Sequence, residues 1–261
     1  MKSLLSHAYA VSYYTIIRKE TVRMFRIWGQ TFVPSVMTSV LYFTVFGSIL
    51  GSKIGKIDGF PYIHFVVPGL VMLAVVTNAF SNVSTSFYGA KFMGRNIDEL
   101  LVSPTPPWVI IAGYVTGGVI RGVVIGLLVM AVSLFFAVPP IAHLSIIFLF
   151  LVLSSLVFSV GGLVNGIYGK SFDSISIVPT FFITPLVYLG GVFYSIHSLP
   201  AWLQSVTYVN PLFYLINGFR YGFLGVSDIS IWLCVGVLLT LTAILVATSV
   251  YLIRTGLGLK Q

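Results

Sequence analysis

The chain has 261 residues, of which 57% are hydrophobic and only 8% charged, with a net charge of +8. A soluble domain carries about 25% charged residues, so this composition excludes a soluble enzyme and a soluble nucleic-acid binder, and lipid becomes the solvent. The excess of Lys and Arg then reads as a topological signal at the ends of apolar runs, held beside anionic lipid on the cytoplasmic side.

In chain order, the N-terminus comes first. The stretch with Lys2, Ser6, His7 and Ser12 lacks a compact apolar core followed by a small-residue cleavage site, so no cleavable signal peptide is expected. An amphipathic segment follows. On a helix, Tyr13, Tyr14, Ile17, Thr21, Met24, Phe25 and Trp28 share one face, and Arg18, Lys19, Glu20, Arg23 and Arg26 share the other. This is the pattern of a helix lying along a membrane surface with its apolar face in the headgroups. It is equally the pattern of a basic flank that fixes topology, and contact with a cytoplasmic partner stays open.

A bilayer core of about 30 Å needs about 20 helical residues. Six runs qualify, near Trp28–Leu50, Ile63–Phe87, Pro107–Phe136, Leu144–Tyr168, Ile175–Tyr194 and Ile229–Ile253. They are apolar all round, unlike the alternating strands of a membrane barrel. With the N-terminus inside, the cytoplasmic segments hold Lys2, Arg18, Lys19, Arg23, Arg26, Lys91, Arg95, Lys170, Arg254 and Lys260, and the outer ones only Lys53, Lys56 and Arg220. Both termini are therefore expected in the cytoplasm.

The loop between spans two and three carries Arg95, Asn96, Ile97, Asp98, Glu99, Leu100 and Leu101. Asn96 with Glu99 has the form of a capping box, Asp98 and Glu99 suit the dipole of a first turn, and Pro104 stops the helix. A short capped helix is expected, with Ile97, Leu100 and Leu101 either docking on a partner or packing back on the bundle. In span three, Gly118, Gly122 and Gly126 recur every four residues, and Gly113 and Gly117 add a second pair. Such a ridge admits a neighbouring helix closely, inside the bundle or across a dimer. Arg121 lies in the same span, about 21 Å along it from Pro107. An intramembrane Arg faces a cavity, a carboxylate or carbonyls, or snorkels to an interface. It is a candidate contact for an anionic substrate group.

The stretch Ser195–Ser227 is rich in aromatic residues but contains Pro200, Asn210–Pro211 and Arg220. It reads either as a seventh span or as a re-entrant helical hairpin, and the hairpin keeps Arg254 and Lys260 inside. The aromatics of this stretch and of the outer half of span five (Tyr188, Phe193, Tyr194, Trp202, Tyr208, Phe213, Tyr214, Phe219, Tyr221 and Phe223) form either an interfacial belt or a substrate exit path. Tyr188, Phe193, Tyr194, Arg121 and Arg220 are the candidate pathway residues.

No phosphate-binding loop is present. Gly169-Lys170-Ser171 has the right ending, but Val164 stands where the first glycine belongs, and Gly51…Gly55-Lys56 is one residue short. His7, His64, His143 and His197 stand apart, with no metal-ligand spacing. Cys234 is a lone apolar thiol that reads as a small core residue. No internal repeat is evident, which disfavours secondary transporters built from repeats.

The run Gly190-Gly-Val-Phe-Tyr-Ser-Ile-His-Ser-Leu199-Pro200-Ala-Trp202, followed by Asn210-Pro211-Leu-Phe-Tyr-Leu-Ile-Asn-Gly218-Phe-Arg220-Tyr-Gly222, resembles the signature of type-2 ABC exporter permeases. From Arg26-Ile-Trp28 through Arg95-Asn-Ile-Asp-Glu-Leu-Leu101, the chain resembles the bacterial YadH-like branch of that family, with nodulation-factor and polysaccharide exporters as relatives. The resemblance implies an all-α polytopic fold, with an amphipathic interface helix, six spans and a re-entrant hairpin before the last. It implies one permease domain over residues 1–261 in a bacterial inner membrane. It implies a homodimer with two ATPase subunits, with ATP and Mg held there and no cofactor in this chain. It implies that Asn96–Val102 is the coupling helix. The function expected is export of a hydrophobic, glycolipid, polysaccharide or drug-like substrate. A secondary transporter or channel is the alternative, and it would need ionisable groups in the spans, where only Arg121 stands. A membrane enzyme would need clustered acids, His or a metal site, and none is visible.

Overall fold

The computed structural model of the chain describes residues 2–92, 103 and 105–259. Helix α1 (Lys2–Arg26) passes through a kink at Ile27 (φ −104°, ψ 35°) into α2 (Trp28–Ile54). A short antiparallel ribbon, β1 (Lys56–Ile57) with β2 (Phe60–Pro61), turns the chain at Asp58 and Gly59, both at positive φ. Then come α3 (Tyr62–Phe92), α4 (Pro107–Ser133), α5 (Leu144–Tyr168) and α6 (Phe172–Leu189). Two short helices, α7 (Ala201–Val209) and α8 (Pro211–Leu224), precede the last long one, α9 (Ile231–Thr255).

Among the described residues, α2, α3, α4, α5, α6 and α9 are long and apolar enough to cross a membrane. The fold is therefore an all-α polytopic one with the six spans expected. The fifth ends earlier than its apolar run suggests, at Leu189 rather than Tyr194. Gly190 and Gly191 close it, and Gly191 takes φ 84°, a conformation in which only glycine is unstrained.

The stretch after α6 is not a seventh span. Helices α7 and α8 have 9 and 14 residues, short of the length a crossing needs. Asn210 divides them: its side chain caps α8 by accepting from the Leu212 amide, and Pro211 takes the first helical position, where its missing N–H costs nothing. Both ends of α8 also bond to the same side of the bundle. Asn210 Nδ2 donates to the Leu186 carbonyl near the end of α6 (2.6 Å), and the Gly222 carbonyl accepts from the amides of Ala142 and His143 just before α5 (3.1 and 2.8 Å). Successive spans alternate direction, so the end of α6 and the start of α5 share one side.

Helix α3 is the centre of the bundle, buried along most of its length between α4, α5 and α8. The glycines of α4 explain how two helices approach it so closely. A Cβ at Gly118 would lie 2.4 Å from Val83 and 2.3 Å from Ser159, and one at Gly122 would lie 2.5 Å from Ser155 and 3.1 Å from Ala79. These glycines seat α4 between α3 and α5. Gly113 and Gly117 face the other way and receive α1, with Ile16 and Glu20 at 2.7 and 2.6 Å from where a Cβ would stand. The ridge is used inside the chain, on two faces.

That contact corrects the expected orientation of α1. Its buried stripe is Ile16, Glu20 and Met24, one residue per turn, so Glu20 lies in the packed face and not with the exposed cations. Tyr14, Phe25 and Trp28, assigned above to a single apolar face, are all more than half exposed. A helix that packs on α4 has to turn its smaller apolar side chains inward, which leaves the aromatics on a flank. The aromatics after α6 also divide: Trp202 and Tyr208 are exposed as belt residues would be, whereas Phe213, Phe219 and Phe223 are core.

Candidate functional site

A cleft of about 350 Å³ opens between α2, α3 and α6. Its walls carry Gln30, Thr31, Ser35, Thr38, Ser39 and Tyr42 from α2, Thr77, Asn78 and Ser81 from α3, and Thr184 and Tyr188 from α6, with Leu70, Leu73 and Ala74 between them. No lining residue is charged. Several hydroxyls donate back to their own helix: Ser39 to the Ser35 carbonyl (2.7 Å) and Thr77 to that of Leu73 (2.7 Å). Each keeps acceptor capacity that faces the cleft. Thr31 Oγ1 is buried and has no hydrogen-bond partner among the described residues.

Two of the cleft helices are locally underwound into wide π turns, α2 at Phe43–Leu50 and α6 at Val178–Ile183. In α6 the cause is visible. The Pro179 carbonyl accepts both the amide and the hydroxyl of Thr184, five residues on, the hydroxyl at 2.9 Å. Such turns are uncommon and gather at functional sites. At the end of the cleft where α6 stops, Tyr42 and Tyr188 join hydroxyls at 3.0 Å, Phe193 stacks on Phe46 with ring centres 4.2 Å apart, and Tyr188 lies against Phe193 at 5.6 Å. Tyr188 thus lines the cleft and Phe193 stands behind it. Tyr194 lies nearby in sequence but outside the lining, its buried hydroxyl without a partner among the described residues.

Arg121 sits one step behind the cleft wall. Its Nη1 donates to Asn82 Oδ1 at 3.1 Å and its Nη2, at a longer 3.5 Å, to Asn78 Oδ1. Asn78 faces the cleft and meets Ser35, its Nδ2 3.2 Å from Ser35 Oγ. Asn82 Oδ1 also accepts from Arg23 Nη2 (2.8 Å), which donates to Glu20 Oε2 (2.8 Å), while Ser86 donates to Glu20 Oε1 (2.5 Å). A polar ladder therefore runs from α1 through α3 and α4 to the cleft. Sequence reading singled out Arg121 but missed Asn78, Asn82 and Ser86. The signal was available: two Asn one turn apart in an apolar span are costly unless each is bonded.

Arg220 lies elsewhere, beside the turn that follows α6. It is 6% exposed, its guanidinium 3.7 Å above the Phe65 ring, and it donates to the Gly191 carbonyl. It joins α8, α3 and the turn after α6, away from the cleft lining. On the side where α3 and α5 end, Lys91 Nζ donates to the carbonyls of Ile167 (3.1 Å), Gly169 (3.5 Å) and Gly258. The loop residues Arg95, Asn96, Ile97, Asp98, Glu99, Leu100 and Leu101 lie outside the described residues.

The profile of the family described as ABC-2 type transporter matches residues 11–224. The chain is 50% identical over 257 residues to "Inner membrane transport permease YadH" of Escherichia coli (strain K12), covering 98% of this chain and 100% of that protein. It is similar also to "Nodulation protein J" of Rhizobium leguminosarum bv. viciae, 24% identical over 230 residues, with 83% of this chain and 85% of that protein covered. "Nodulation protein J" of Rhizobium meliloti (strain 1021) is 25% identical over 231 residues, with 83% and 84% covered.

Proposed function

Because this chain belongs to the ABC-2 type transporter family and is a multi-pass transport permease, we propose that it is the membrane subunit of an ATP-driven exporter in a bacterial inner membrane. Two copies pair with two ATPase subunits, which hold the ATP and Mg. The cargo is a hydrophobic, glycolipid, polysaccharide or drug-like molecule.

The observation that carries this reading is the cleft. A wall of uncharged hydroxyl and amide groups within spanning helices meets lipid poorly: its hydroxyls keep acceptor capacity after bonding to their own helix, and Thr31 Oγ1 has no partner among the described residues. It suits a passenger that exchanges hydrogen bonds with the wall while its apolar part rests on Leu70, Leu73 and Ala74. Tyr188 and Phe193 stand at the outer end of that path and Arg121 supports its wall through Asn78. Arg220 acts outside it, holding the outer end together.

The drive arrives through residues 95–101. This loop joins α3 to α4, and α3 carries Thr77, Asn78 and Ser81 in the cleft wall. An ATPase that closes on ATP and displaces the loop moves both helices, and a packed helix moves as a body. The test is the double variant Leu100→Asp/Leu101→Asp. The wild-type chain is expected to bring an ATPase subunit with it from native membranes, and the variant is expected to lose it while staying folded in the membrane. Equal recovery of the ATPase with both proteins would contradict the docking assignment.

A further inference from the structure

Helix α1 keeps a surface feature that the cleft and the polar ladder do not use. Thr15, Arg18, Lys19, Val22, Arg23 and Arg26 line an open groove of about 440 Å³ along it. Residues 15, 19, 22, 23 and 26 recur at helical spacing, so they form one stripe. We propose that this groove is a binding site for the phosphodiester headgroup of an anionic phospholipid, with Lys19, Arg23 and Arg26 as its cations.

Charge is the first reason. The groove holds four cations, and Glu20, the one carboxylate beside them, is turned away and already bonded to Arg23 and Ser86. Lys19 and Arg26 are exposed and make no hydrogen bond or ion pair among the described residues. Arg23 Nε is buried without a partner there, although the same guanidinium serves Glu20 and Asn82 through Nη2. The buried ladder counts Arg23 and Arg121 against Glu20, an excess of one positive charge that an anion at Arg23 offsets.

Depth is the second reason. Trp28 opens the first span, so Arg26 and Arg23 stand two and five residues before it, at the level of lipid phosphates. Tyr14, Phe25 and Trp28 lie on the flank next to the groove, exposed. Aromatic rings of this kind settle at the headgroup level. An acidic protein surface would match the cations but would leave that aromatic flank in water. The site is independent of what drives transport, so it stands whether or not an ATPase is found.

The test uses the full-length protein in detergent, titrated with phosphatidylglycerol or with phosphatidylcholine, and bound lipid is counted by native mass spectrometry. Lys19→Gln/Arg26→Gln removes two exposed cations and leaves the ladder intact. Lys53→Gln/Lys56→Gln removes two from the ribbon region as a control. Phosphatidylglycerol is expected to be retained over phosphatidylcholine by the wild type and the control. Each groove cation is worth about fivefold, so the groove variant should bind roughly 25-fold more weakly. Unchanged phosphatidylglycerol binding by the groove variant would overturn the site, as would equal retention of the two lipids. Displacement by inorganic phosphate at matching concentration would assign it to a free anion instead. A groove variant that keeps the lipid but loses a co-purifying ATPase would assign it to that partner.

Discussion

Glu20 is a carboxylate taken out of water where α1 meets α3 and α4, and it is only 2% exposed. Ser86 and Arg23 each donate to one of its two oxygens, and Arg23 in turn shares Asn82 with Arg121. Truncating one member of such a pair strands the other. Arg23→Ala should therefore cost about 2 kcal/mol, less than the typical 3–5 for a fully buried pair because the Arg23 side chain is 30% exposed. Adding Glu20→Ala removes the stranded charge, so the double variant should melt higher in detergent than Arg23→Ala alone. Additive losses in the two thermal midpoints would show that the pair is not coupled. Gly117 is the matching position on α4, since a Cβ there would meet Glu20 Cβ at 2.6 Å. Gly117→Ala should cost about 1–3 kcal/mol through overpacking, read in the same melting experiment, whereas a neutral result would mean that α1 is free to shift. Little of this was legible in the sequence. Glu20 groups with basic neighbours on a helical wheel, and only the tertiary contact with the α4 glycines turns it inward.

At the scale of elements, periodicity and length located the six spans, because a continuous apolar run has one solution in lipid. They were less informative where backbone geometry decides: the π turns of α2 and α6 and the early stop of α6 at Gly190–Gly191 depend on hydrogen bonds that no composition rule reports. The separation of α7 from α8 was legible, since Asn210–Pro211 is both cap and helix start. A further element-level feature is the junction held by Lys91. Its ammonium meets carbonyls at the end of α5 and in the turn after α9, where Gly256 and Gly258 take positive φ. A cation there satisfies orphan carbonyls and the helix dipole, worth about 0.3–1 kcal/mol. Lys91→Met is expected to leave the bundle folded but to raise amide exchange across residues 256–259, followed by hydrogen–deuterium exchange in detergent. Unchanged protection of the Leu259 amide, which bonds to the Gly256 carbonyl at 3.1 Å, would show that the tail holds itself.

For the whole molecule, the uneven covering of the spans is the informative property. Helix α3 is enclosed, while α2, α6 and α9 are largely uncovered by the rest of the chain. Two of those three, α2 and α6, line the polar cleft. An open face with hydroxyls in it is poorly matched to lipid but well matched to a second copy, which would enclose a path between two clefts. The membrane class was plain from composition. The cleft was not, because Ser35, Thr38, Thr77 and Asn78 are scattered through three apolar runs and meet only after packing. The assembly proposed is two copies of the permease driven by a partner ATPase. The most direct measurement is the mass of the complex extracted from native membranes and kept intact in the mass spectrometer. The expected result is two copies of this 28.5 kDa chain together with two copies of an ATP-hydrolysing subunit. An intact assembly made of this chain alone, with no ATPase activity, would contradict it.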